Sequence, residues 1–229
     1  MPTFHNIHIS SIKNIIKDKS IFIFDFDGVL VDSVEIKTDA FVFLYKEYGN
    51  EIVNKIIEHH RLNGGMSRYE KFKHYHQSFL NQKITKDEIN TLDQKFSNYV
   101  VNKVVNSPEV EGASEFLNKY YKHNKCFVNS ATPNIEIKKI IKLRGWTEYF
   151  EGIFGSPDDK IKNISKIFHY IDNIQSDKKN STVFFGDAKS DFLAAKAAGI
   201  DFVLLLTSKK KLSFAKEVKF SINNFLNLI

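Results

Sequence analysis

Five short apolar runs punctuate the chain, at residues 21–26, 125–130, 152–155, 182–186 and 201–206. Most are continuously apolar rather than alternating, the pattern of strands covered on both faces in a parallel sheet between helices. Between the later runs the apolar spacing becomes helical. Phe116, Leu117, Tyr120 and Tyr121 share one face. So do Ile137, Ile140 and Ile141, which follow a Pro133-Asn134 start signal and stop at Gly145. Ile161, Ile164, Ile167, Phe168 and Ile171 mark a third helix, and an Ala-rich stretch at 189–198 ends at Gly199. Strands alternating with helices predict a doubly wound α/β domain.

One region departs from this alternation. Between Asp32 and Pro108 no run reads as a strand. The apolar residues there fall at helical spacing instead: Phe41, Leu44, Tyr45 and Tyr48, then Phe72, Tyr75 and Phe79, then Leu92, Phe96, Tyr99 and Val100. The pattern predicts a helical cap over residues 34–106, inserted into an α/β core made of 1–33 and 107–229.

Composition narrows the classes without choosing a function. With 229 residues, 42% of them hydrophobic, the chain can build one large core plus an insert. The single Cys126 cannot form an intramolecular disulfide and, lying in an apolar run, is expected to be a buried core thiol. No apolar stretch reaches transmembrane length, and residues 1–20 lack the continuous apolar centre of a signal peptide, so the expected location is the cytoplasm. The net charge of +6 comes mostly from lysines. Runs such as Lys209-Lys210-Lys211 read as a solvated face. No basic stripe interleaved with aromatics stands out, so neither nucleic acid nor a membrane is expected as a partner.

The chemistry sits where the apolar runs end. The first leads into Asp25-Phe26-Asp27-Gly28-Val29-Leu30-Val31-Asp32-Ser33. Residues two apart in an extended chain point the same way, so Asp25 and Asp27 emerge together at a strand's carboxyl end, where open α/β sheets bind ligands. Gly28 lets the backbone turn away. Two adjacent carboxylates repel unless a divalent cation or a proton lies between them, and an oxygen-only ligand set favours magnesium. One of them can also attack phosphorus. The run at 182–186 ends in Gly186-Asp187-Ala188-Lys189-Ser190-Asp191, placing Asp187 to complete a metal site and Asp191 one helical turn on. In Asn129-Ser130-Ala131-Thr132-Pro133, Ser130 and the backbone N–H groups after it, Ala131 first, can grip phosphate oxygens. Lys160, after Gly155-Ser156-Pro157-Asp158-Asp159, opens a helix at the same sheet edge and offers a balancing cation.

In order, these four elements supply a DxD pair, a hydroxyl, a lysine and a final acid pair. The set resembles the haloacid dehalogenase superfamily of phosphohydrolases, over about residues 21–206, and is similar to its phosphoglycolate phosphatase and β-phosphoglucomutase branches. The resemblance implies a Rossmann-like core with a helical cap and a Mg2+ cofactor. It implies Asp25 as nucleophile and metal ligand, Asp27 as general acid/base, Ser130 and Lys160 on the phosphoryl group, and Asp187 completing a magnesium site with Asp25 and Asp27. Asp191 supports that site. Asp27 disfavours halide and phosphonate chemistry, whose branches lack this carboxylate. The expected activity is phosphatase action on a small phosphorylated metabolite by a monomer or homodimer. A sugar phosphomutase and a non-catalytic binding protein are the alternatives.

The predicted cap holds Asn63-Gly64-Gly65-Met66-Ser67-Arg68-Tyr69-Glu70-Lys71. Cations are unusual near a helix start, where the dipole favours acids. Arg68 and then Lys71 are therefore expected to meet the substrate when the cap closes. Arg68 matches, by the same resemblance, a phosphate-contacting arginine of the mutase branch.

Overall fold

A computed structural model of the chain describes residues 6–171, 177–206 and 213–229. Six parallel strands form one sheet: β1 (Ile21–Phe24), β2 (Lys125–Pro133), β3 (Gly152–Ser156), β4 (Thr182–Gly186), β5 (Asp201–Leu205) and β6 (Phe220–Ile222). Their spatial order is β3-β2-β1-β4-β5-β6, so the chain winds one way from β1 to β3 and the other way from β4 to β6. The reversal falls beside β1, and the crevice at its carboxyl end is where such a sheet binds ligands. Register brings Phe24 level with Val128 on one side and Phe185 on the other.

The apolar runs are continuous because both faces of the sheet are covered. On one face Phe22, Phe24 and Phe185 pack against Phe116 and Phe225. On the other, Ile21, Ile23 and Phe184 meet Ile164, Ile167 and Ala195. The flanking helices include α1 (Asn6–Lys17), α6 (Ala113–Tyr120), α7 (Asn134–Leu143), α8 (Lys160–Tyr170) and α9 (Lys189–Ala198). Cys126 is buried on β2, and burial pushes its thiol up to about 12.

Two elements exceed the sequence expectation. Helix α1 forms in the mixed N-terminal segment because Ile12 and Ile16, one turn apart, are both buried. Strand β6 is three residues at the sheet edge, too short to show a period. Strand β1 stops at Phe24, before the expected 26, and β2 runs three residues past its expected end. The Lys209–Lys211 run lies outside the described residues.

Between β1 and α6 the chain makes four α-helices: α2 (Val34–Tyr45), α3 (Asn50–Leu62), α4 (Arg68–His74) and α5 (Lys86–Val105). They close around Phe41, Phe72, Tyr75 and Phe96. The two connections to the sheet run side by side. The N–H of Asp32 donates to Pro108 O at 2.9 Å, and that of Val110 to Leu30 O at 3.0 Å. Arg144 clamps the exit, donating to the carbonyls of Val104, Val105 and Ser107 at 3.1, 2.8 and 2.9 Å. The inserted helices also rest on the sheet's ligand edge. A Cβ on Gly65 would lie 1.7 Å from Ser190 Oγ, so only glycine allows this contact between the α3–α4 loop and the start of α9.

Candidate active site

Asp25 follows β1 directly. Its N–H donates to Phe185 O at 2.9 Å, which carries the sheet register one residue past the strand. Its carboxylate accepts from Phe26 N–H at 2.7 Å and meets Lys160 Nζ at 2.6 Å. Gly28 turns the chain away with φ +79°. A Cβ there would sit 2.5 Å from Asp187 Oδ2, so glycine serves both the turn and the approach of the second acidic loop.

Asp187 and Asp191 arrive from the end of β4. Asp191 is fully buried and reaches back along α9 to accept from the N–H groups of Asp187 and Ala188 at 3.1 and 3.0 Å. Its other oxygen pairs with Lys160. Lys160 begins α8, whose first turn is capped by Asp159 accepting from Lys162 N–H at 2.8 Å. One ammonium therefore bridges Asp25 and Asp191.

Asp25, Asp187 and Asp191 can present oxygens that all lie within 4.8 Å of one another. Three carboxylates against one ammonium leave an excess of two negative charges. Burial, with Asp191 and Asp27 adding to it against the pull of Lys160, pushes the Asp25 carboxyl up to about 7. Burial and the neighbouring Asp25 and Asp191 likewise hold Asp187 well above its usual range. A buried, oxygen-only group with two surplus negative charges fits a hard divalent cation such as magnesium.

Asp27 stands apart from this group. The sequence expectation set Asp25, Asp27 and Asp187 together as ligands, and the structure turns the Asp27 carboxylate elsewhere. One oxygen accepts from Ser33 Oγ at 2.6 Å. The other accepts from Thr132 Oγ1 at 3.0 Å and pairs with Lys37 Nζ. Lys37 also donates to Thr132 Oγ1 at 2.7 Å. Burial would raise the Asp27 carboxyl, but Lys37, helped by both hydroxyls, holds it below the ordinary carboxylate range.

Asp25, Asp27, Ser130, Ala131 and Asp187 all line one cavity of about 670 Å3. Ser130 Oγ accepts from Thr132 N–H at 3.1 Å at the end of β2. Lys160 reaches this site from behind, through Asp25.

The two residues of the inserted helices behave differently from expectation. The Arg68 guanidinium does not line this cavity. It is 7% exposed, pairs with both Glu136 oxygens at 3.0 and 2.8 Å, and donates to Asp93 at 2.5 Å and Ser97 Oγ at 2.7 Å. Its position follows from a capping box, in which Ser67 and Glu70 satisfy each other's N–H groups at the start of α4. Lys71 is 2% exposed, lies 2.8 Å from His60 Nδ1, and is also absent from the cavity wall. Burial, with Lys37 nearby, lowers its ammonium to about 7.

Sequence reasoning missed Lys37, His60, Thr132 and Glu136. Lys37 stands four residues after Ser33, one helical turn on, and Thr132 shares a strand side with Ser130, so both spacings were available. No spacing marks His60 or Glu136.

A family model described as haloacid dehalogenase-like hydrolase matches residues 22–205, from β1 through β5, and the chain belongs to that family. Solved structures share the fold at low identity. β-Phosphoglucomutase from Clostridium difficile superposes with a TM-score of 0.72 at 20% identity, over 92% of this chain and 93% of that one. A predicted phosphoglycolate phosphatase from Haemophilus somnus gives 0.69 at 16%, over 91% and 95%. YfnB from Bacillus subtilis, whose orthorhombic form is bound to magnesium and reveals interdomain movement, gives 0.65 at 16%, over 90% and 95%. None of the curated proteins compared matches this chain.

Proposed function

We propose that this chain is a phosphatase that hydrolyses a small phosphate monoester through an aspartyl phosphate on Asp25. One observation carries the reading. Two carboxylates two residues apart face the same cavity with different partners: Asp25 lies beside Lys160, Asp187 and Asp191, and Asp27 is held by Ser33, Thr132 and Lys37. The first stands in the group of acids that suits a divalent cation and an attack on phosphorus, and the second is positioned beside it to move a proton.

In the first half, an Asp25 oxygen attacks phosphorus and the bond from phosphorus to the leaving oxygen breaks. The departing alcohol takes a proton from Asp27, which enters this step in its protonated form. In the second half, a water gives a proton to Asp27 and its oxygen attacks the aspartyl phosphate, releasing inorganic phosphate and restoring Asp25. Ser33, Thr132 and Lys37 aim Asp27. Ser130, Ala131 and Lys160 receive the phosphoryl oxygens. Magnesium, held by Asp25 and Asp187 with Asp191 beside them, neutralises charge when bound. Residues 34–106 act as a cap that excludes bulk water. Among the described residues no helix is long and apolar enough to cross a membrane. The sequence case for a mutase rested on Arg68, and Arg68 is committed to Glu136 and Asp93.

Release of inorganic phosphate by purified protein with magnesium tests the reading. Asp25→Asn is expected to lower turnover at least about a thousandfold with the fold retained. EDTA is expected to abolish activity and magnesium to restore it. Wild-type rates in Asp25→Asn, with deamidation excluded, remove the nucleophile; full rates in metal-free protein remove the cofactor.

A further inference from the structure

We infer that the leaving group is an uncharged, ring-bearing alcohol of nucleoside size, rather than a small acid or a second phosphate. The inference rests on the phosphatase reading and concerns the part of the cavity beyond the phosphoryl group.

Size is the first observation. The cavity holds about 670 Å3. That equals roughly twenty water molecules at about 30 Å3 each, far more than a phosphoryl group on a two-carbon acid requires. It falls within the range of about 300–1,000 Å3 that encloses a ligand with one or more rings.

The second observation is the wall. Beyond Asp27 the lining is apolar at Val34, Ile57, Leu62 and Phe214. Leu62 is 75% exposed and Ile57 half-buried, so both offer apolar surface to an occupant. A flat ring covers such surface and a compact polyanion does not.

Charge is the third. Asp32 and Glu58 line the same region, and among the described residues neither has an ion-pair partner. The cations on that side each have a partner. Arg61 pairs with Glu35 at 3.0 Å and Lys37 with Asp27, while Arg68 and Lys71 line a small adjoining pocket of about 40 Å3 and are engaged there, Arg68 by Glu136 and Asp93 and Lys71 by His60. Lys189 also lines the cavity, but it is two residues from Asp187, at the phosphoryl end. A carboxylate or second phosphate on the leaving group would face Asp32 and Glu58, and like charges disfavour it. Those acids and the Asn54 side chain accept hydrogen bonds instead, which suits the hydroxyl and ring N–H donors of a nucleoside.

The experiment compares kcat/KM, by phosphate release with magnesium, for adenosine and uridine 5′-monophosphates, phosphoglycolate, glucose 1,6-bisphosphate, phosphocholine and p-nitrophenyl phosphate. A nucleoside monophosphate is expected to exceed phosphoglycolate and the bisphosphate by at least about tenfold. Glu58→Lys, on an exposed helix face, is expected to shift the nucleotide-to-phosphoglycolate ratio at least about threefold towards phosphoglycolate. A preference for phosphoglycolate, the bisphosphate or phosphocholine overturns the inference and leaves the phosphatase reading standing. An unchanged ratio in Glu58→Lys also overturns it. No phosphate from any compound, p-nitrophenyl phosphate included, overturns the phosphatase reading itself, and this inference with it.

Discussion

The sheet edge and the seam between cap and core both bury cations beside acids, yet only the first leaves unbalanced charge facing the large cavity. At the edge, Lys160 meets Asp25 and Asp191, with Asp187 unneutralised beside them. At the seam, Arg68 of α4 meets Asp93 of α5 and Glu136 of α7, backed by the Phe96 ring 4.9 Å from its guanidinium. The first arrangement is incomplete without a ligand. The second is close to complete: four of the guanidinium's five N–H donors are met, and Glu136 takes a further hydrogen bond from Ser97 at 2.5 Å. Buried charge therefore signals a ligand where the imbalance opens onto a cavity, and signals structure where hydrogen bonds close it.

The largest effect that separates the two regions is expected from Lys160→Met. The change strands Asp25, Asp187 and Asp191 together with no cation. Breaking a buried pair in this way costs about 4 kcal/mol of stability in EDTA. Magnesium binds the native state preferentially and is expected to restore a substantial part of that loss. Urea unfolding with and without magnesium checks both statements. A loss that magnesium does not reduce would make the cluster a structural network like that of the seam.

Arg68→Met is expected to cost less, about 3 kcal/mol, because Asp93 keeps partial access to water. Magnesium should not restore this loss. Since Arg68 joins α4 to α7 and does not line the large cavity, kcat/KM should fall by the same factor for p-nitrophenyl phosphate and for the best metabolite. A loss confined to the metabolite would return Arg68 to the specificity role that its sequence position suggests. Glu136→Gln, combined with Arg68→Met, should show a coupling of at least about 1 kcal/mol.

The same contrast governs what the sequence shows. Asp25, Asp27, Ser130, Lys160 and Asp187 each follow an apolar run, and strand geometry sends every such end to one edge. A one-dimensional pattern therefore locates them in three dimensions. Arg68 and Lys71 sit on a helix whose docking depends on partners far along the chain. Arg68 pairs with Glu136, sixty-eight residues away, and no local period encodes that choice. The unusual cations at the start of α4 were visible, but whether they face substrate or packing was not. The environment of Asp27 is an intermediate case. Ser33 and Thr132 lie within the motif stretches, while Lys37 comes from the cap's first helix.

The smallest effect concerns Lys71, a buried cap cation with no carboxylate against it among the described residues. Its ammonium has lost water and gained only His60 Nδ1 at 2.8 Å, with the Phe41 ring 5.7 Å away. Burial first, then Lys37, lowers its pKa to about 7, with Glu70 opposing. In the unfolded chain the same amine titrates near 10.5. Between those two values the unfolded state holds a proton that the native state lacks, so stability rises with pH across this window. Below about 7 both states carry the proton and the full cost of burying an ammonium is present. The wild type is therefore expected to gain about 1 kcal/mol relative to Lys71→Met between pH 7 and 8. The variant should exceed the wild type in stability at pH 6, because methionine fills a similar volume without a charge. Paired urea titrations at pH 6, 7 and 8 measure the difference. A constant difference would mean that Lys71 stays protonated throughout, held by a counter-charge in the manner of Arg68, and the contrast between the cap's two cations would disappear.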